Sequence, residues 1–109
     1  MKKLSILLLL SLSVLSLNAQ TLKQAIRCMD NEQFAEAEKM FRSLRISEPS
    51  SGIHCFYLGE VFFRQEQYDS ALTHYTKGTT VQPNYAYSYV GLDRKSIRLN
   101  SSHANISYA

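Results

Sequence analysis

The sequence has no tryptophan, and it is poor in the residues that usually carry chemistry: two cysteines, three histidines and four glycines among 109 residues. The histidines His54, His74 and His103 are scattered, and no H-E-x-x-H pair brings two of them together. There is no C-x-x-C, no G-x-S-x-G and no glycine-rich phosphate loop. Without these, zinc hydrolysis, dithiol exchange, nucleophile-elbow hydrolysis and P-loop phosphate chemistry have no residues to carry them. His74 has no neighbour at metal-ligand spacing, so it reads as a surface residue on a helix exterior. The expectation is a protein that is not an enzyme, with no cofactor and no metal.

A dominant charge of one sign is also lacking. The whole chain carries +3, which invites a nucleic-acid reading. That surplus sits at the ends, at Lys2 and Lys3 and again at Arg94, Lys95 and Arg98. Between Gln20 and Leu92, seven basic residues stand against eight acidic ones, a net charge of −1. No basic stripe is left to track phosphates, so no nucleic-acid partner is expected.

What is present is a repeat. Gly52–Tyr85 reads as two amphipathic helices. Cys55, Leu58, Gly59 and Phe62 recur at i, i+3, i+4 and i+7, one face of a helix. Tyr68, Ala71, Leu72 and Tyr75 give the same spacing on a second helix, and the polar run Arg64–Gln67 separates the two. Pro83 stops the second helix, since it lacks an N–H and clashes with the preceding turn. Small residues at Gly59 and Ala71 let the two axes approach. Thirty-four residues earlier, Tyr68 falls on Phe34, Ala71 on Ala37, Tyr75 on Phe41 and Pro83 on Pro49. Glu66 and Gln67 fall on Glu32 and Gln33.

Cys55-Phe56-Tyr57-Leu58-Gly59-Glu60-Val61-Phe62, then Ala71-Leu72-Thr73-His74-Tyr75, then Pro83, resembles the tetratricopeptide pattern W-x2-L-G-x2-Y…A-x3-F…P. Cys55 replaces the tryptophan. In the earlier copy Thr21, Gln24 and Cys28 depart from the pattern, while Ala25, Ala37, Phe41 and Pro49 fit it. Both copies carry Glu, Glu32 and Glu66, in a turn where the family often has Gly. The resemblance spans Asn18 to Leu92. It implies an all-α helix-turn-helix repeat solenoid, with repeats at 18–51 and 52–85 and the start of a third at 86–92. Tyr89 and Leu92 keep the register of Cys55 and Leu58 into that third copy.

Residues 1–19 resemble a secretory signal peptide of the bacterial exported type. Lys2-Lys3 is the positive region, Leu4–Leu17 the apolar run, and cleavage is expected after Ala19. The alternative, an uncleaved anchor, needs about 20 apolar residues. The expected location is periplasmic or secreted, with no stable membrane insertion after cleavage. Thr21 is expected to cap the first mature helix, with Leu22, Ala25, Ile26 and Met29 as its apolar stripe. Ala37, Met40, Phe41 and Leu44 form the stripe of the next helix.

After Leu92 the register is lost: Asp93 falls where Gly59 stood, at a close helix contact. Asp93–Ala109 resembles an in-frame translation of a common short-read sequencing adapter, from GAT CGG AAG AGC for Asp93–Ser96 to CGT CTG AAC TCC AGT CAC for Arg98–His103. Ile97 departs from the expected Thr. The expectation is a non-native tail over 93–109, with a natural chain that continues.

The leader implies an oxidising compartment, where Cys28 and Cys55 are candidates for a disulfide. In the implied fold the first helices of neighbouring repeats run roughly parallel, and Cys28 lies about 10 Å further along its helix than Cys55. A disulfide needs Cα atoms within about 7 Å. Two buried free thiols are expected.

In the family, the first helices line a surface that holds a peptide or a partner's helix. By resemblance, Leu22, Ile26, Met29, Ile53, Phe56, Glu60, Phe63, Tyr87 and Val90 form that groove here. It is apolar with one acid. The family's clamp for C-terminal carboxylates uses Lys and Asn; Leu22, Ile26, Phe56 and Glu60 stand there instead, which disfavours that ligand. The function implied is an exported protein-interaction scaffold or adaptor without catalysis, its partner a protein or peptide, with self-association open. The alternative is the repeat section of a larger exported protein with a C-terminal enzymatic or cell-envelope-binding domain.

Overall fold

The structure, a computed structural model, describes residues 17–94. Most of the expected leader and the tail from position 95 lie outside the described residues. Five helices form the described part: α1 over 17–30, α2 at Phe34–Ser47, α3 at Gly52–Arg64, α4 at Tyr68–Val81 and α5 over 86–94. No strand occurs among the described residues. The fold is all-α, and consecutive helices pack on one another as a helical repeat.

The backbone repeats at the interval read from the sequence. α2 and α4 have the same length of 14 residues and start 34 positions apart. Each ends with a cap N–H donated back to the helix: Glu48 to the Leu44 carbonyl at 2.9 Å and Gln82 to the Gly78 carbonyl at 3.0 Å. Pro49 and Pro83 follow directly and cannot continue a helix. Acid opens both helices, at Glu36 and Asp69, where the macrodipole is positive.

The turns within each pair match as well. Gln33 N–H reaches the Cys28 carbonyl at 2.8 Å, and Gln67 N–H the Phe62 carbonyl at 2.9 Å. This six-to-one bond closes a helix when the residue before the donor is left-handed. That residue is Glu32, at φ 63°, and Glu66, at φ 61°. A side chain with a Cβ is strained in this region, which explains why glycine is favoured at such positions. Replacing Glu66 with Gly is expected to stabilise the fold by about 0.5 kcal/mol, strain relief outweighing the freer unfolded chain. A urea midpoint lower than wild type would contradict that.

The core follows the apolar stripes. Ala25, Met29, Ala37, Phe41, Leu44, Leu58 and Val61 form one buried cluster between the first repeat and α3. Phe62, Ala71 and Tyr75 form a second between α3 and α4. The Tyr75 ring is wedged between two glycines. A Cβ on Gly59 would lie 2.3 Å from its Cε1, and one on Gly91 2.6 Å from its Cδ1. The repeats are further tied by Arg64 donating to Asp30 at 2.8 Å, two residues one period apart.

Four expectations change. Leu72 is not in the stripe; it is 37% exposed, because Ala71 and Tyr75 already fill the crossing. Thr21 does not cap α1. The helix already runs from position 17, and the Thr21 hydroxyl donates to the Leu17 carbonyl inside it. Asp93 is exposed at the end of α5 rather than at a close contact. Both cysteines are free, but only Cys55 is buried; Cys28 is half-buried, its Sγ 4.0 Å from Met40 Sδ.

Candidate partner-binding face

The nine residues expected to line a groove lie on α1, α3 and α5, at positions related by the 34-residue interval. From α1, Leu22 and Ile26 are half-buried against the first core cluster. Met29 is fully drawn into that cluster. From α3, Ile53, Phe56 and Phe63 are half-buried. From α5, Tyr87 and Val90 are open, at 59% and 49% exposed.

Glu60 behaves differently from Ile53, Phe56 and Phe63. It is only 7% exposed and accepts a hydrogen bond from the Tyr75 hydroxyl at 2.6 Å. The Arg94 guanidinium pairs with the same carboxylate, donates to the Tyr75 hydroxyl at 3.2 Å and covers the Phe63 ring at 4.7 Å. Burial raises the Tyr75 pKa well above the usual phenol value, so the hydroxyl stays a donor. Glu60 and Met29 are therefore engaged inside the fold, and the open part of the face is apolar and aromatic.

Its centre is a set of rings. Phe56 lies 5.7 Å from Tyr87, 6.3 Å from Tyr85 and 5.1 Å from Tyr57, all tilted or edge-on. Tyr85 and Tyr87 are themselves 5.7 Å apart. Tyr57 continues the set inward by stacking on Phe41 at 5.3 Å. Tyr57 and Tyr85 were not among the expected groove residues. The crowding of tyrosines at 85, 87 and 89 was the available signal. Burial and the neighbouring Tyr57 and Tyr87 raise the Tyr85 pKa, which keeps its phenol protonated. Such a surface can bury an apolar or aromatic side chain and offer it phenol hydrogen bonds.

No group of three or more potential metal ligands occurs among the described residues, and no described helix is long and apolar enough to cross a membrane. No protein-family model matches the chain. No curated protein matches it either.

His74 is not a free surface residue. It stacks face to face on Phe62, centroids 5.2 Å apart, and is half-buried. Burial, with Arg42 and Arg45 nearby, pushes its pKa from the ordinary 6.5 down to about 4, against a weaker pull from Glu38. His54, buried beside Glu48 at 3.4 Å, is lowered mainly by burial. A base whose folded pKa is depressed adds stability above its unfolded pKa. For His74 that contribution is complete above 6.5 and is lost as pH falls towards about 4. The thermal midpoint should therefore fall between neutrality and about pH 5. His74→Phe should lessen that fall. An equal fall in the variant would remove His74 from the cause.

Proposed function

We propose that this chain is an exported, non-catalytic interaction scaffold of the tetratricopeptide type, and that its first-helix face holds an apolar stretch of a protein or peptide partner. The observation that carries this reading is the aromatic platform around Phe56, which opens to solvent at Tyr87 and Val90 on a face built three times over by successive first helices. An exposed apolar patch of this kind marks an interface. The leader-like start supports export, with Gln20 the expected first residue of the mature chain.

The test is positional cross-linking. A photoreactive phenylalanine analogue replaces Val90 in one variant and the exposed Lys39 of α2 in another. A discrete adduct from position 90 and none from position 39 is expected. Equal adducts from both positions, or none from position 90, would remove the face from the proposal.

A second reading is supported by α5. Tyr87, Tyr89 and Val90 are all exposed on this one helix, whereas the large apolar residues of α3, and those of α1 from Leu22 onwards, are half-buried or buried. A further packed element would cover them, as in the repeat section of a larger exported protein. Sequence beyond position 92 separates the readings: more 34-residue periods favour the scaffold, a non-repeat domain the larger protein.

A further inference from the structure

The second helices carry a site of opposite character. A hollow of ≈ 540 Å³ lies between α2 and α4, lined by Arg42, Arg45, Ile46 and Pro49 from the first repeat and Lys77 and Val81 from the second. Three cations surround a floor of Ile46, Pro49 and Val81. Ile46 is 82% exposed, the most open large apolar side chain among the described residues. Arg42 is held loosely by Glu38 of its own helix at 3.5 Å. Arg45 and Lys77 have no acidic partner among the described residues.

We propose that this hollow is a second docking site, one that takes an acidic peptide segment of a protein partner with an aliphatic side chain set among its carboxylates. Charge complementarity selects the acid, and the Ile46–Val81 floor selects the aliphatic group. The cations come from two repeats, so the site exists only when the repeats are stacked. Their field is already felt inside the protein: Arg42 and Arg45 act on His74, and Arg45 and Lys77 act on the Cys55 thiol. A nucleic acid fits less well. Three cations are few for tracking a phosphate backbone, the repeat region as a whole is slightly acidic, and phosphates gain nothing from an aliphatic floor. With the first-helix face apolar and this face basic, one repeat stack can hold two different partners at once.

The test uses the full chain and a short fluorescein-labelled peptide of aspartates and glutamates around a central leucine, followed by fluorescence anisotropy at low salt. Binding should weaken at least about tenfold when the peptide's acids become amides, and by as much in the Arg45→Glu, Lys77→Glu double variant. The exposed pair Lys23→Glu, Arg27→Glu makes the same change in net charge away from the hollow and should leave the affinity within about twofold. Ile46→Ser and a leucine-to-alanine peptide should each weaken binding. A helical spectrum is recorded for every variant, and Arg45→Gln with Lys77→Gln replaces the charge reversal if that variant unfolds. Equal losses from the two double variants overturn the proposal. So do silent Ile46 and leucine changes, or tighter binding by a single-stranded oligonucleotide or by phosphatidylglycerol vesicles.

Discussion

Gly59→Ala is expected to lower the stability of the repeat stack by about 2 kcal/mol, although alanine is the better helix former. The added methyl carbon would stand 2.3, 2.5 and 2.9 Å from three atoms of the Tyr75 ring. Real contacts of this kind are never so short, so something must move. The ring cannot retreat, because Gly91 closes its other side and the hydroxyl is held by Glu60 at 2.6 Å. The remaining route is for α3 and α4 to separate, which opens the second core cluster. Helix propensity alone would give a gain of about 1 kcal/mol, so the sign of the change decides between backbone preference and packing. Urea titration with sucrose as stabiliser gives the midpoint. A midpoint at or above wild type would mean the α3–α4 crossing is not where the ring places it.

This crossing also shows how far the sequence could be read. Gly59 and Ala71 stood out as small residues on apolar stripes, and the 34-residue interval placed α2 to α5, while α1 begins before the expected cap at Thr21. Periodicity fixes which face of a helix turns inward, so Cys55, Leu58, Ala71 and Tyr75 could be assigned to the core. It does not fix what lies one step beside the stripe. Glu60 reads as a groove acid, yet the reach of the Tyr75 hydroxyl draws it inside. Met29 lay on both the stripe and the groove row, and the core took it. His74 has no neighbour at metal-ligand spacing and reads as external, and the flat face of Phe62 on which it stacks is not visible in the sequence. The left-handed turns were half legible: Glu32 and Glu66 were noted where glycine is usual, but only the backbone shows that both accept the strained conformation. The basic hollow escaped altogether. Its residues come from two repeats, and the charge pattern along one helix does not show which cations of another lie beside it.

Tyr75→Ala should cost more than any other single substitution considered, about 4 kcal/mol, since it empties the second cluster and leaves two glycines facing the gap. Tyr75→Phe separates ring from hydroxyl. It keeps the wedge but removes the donor to Glu60, a carboxylate that is 7% exposed and then depends on Arg94 alone. A loss of about 1–2 kcal/mol is expected for that change. The order matters more than the values: a phenylalanine variant as unstable as the alanine variant would mean that the polar contact, not the ring, holds the helices. The combination with Gly59→Ala makes the test sharper. If the ring is what the Gly59 methyl strikes, the methyl is harmless once the ring is gone, and it partly fills the space. The double variant should then be no less stable than Tyr75→Ala alone, a coupling of about 2 kcal/mol or more. Simple additivity would show that the two residues do not meet. Because Phe56 lies 6.0 Å from Tyr75, the same change should loosen the aromatic platform. Cross-linking from position 90 should weaken in Tyr75→Ala but persist in Tyr75→Phe, linking the packed crossing to the face proposed to bind.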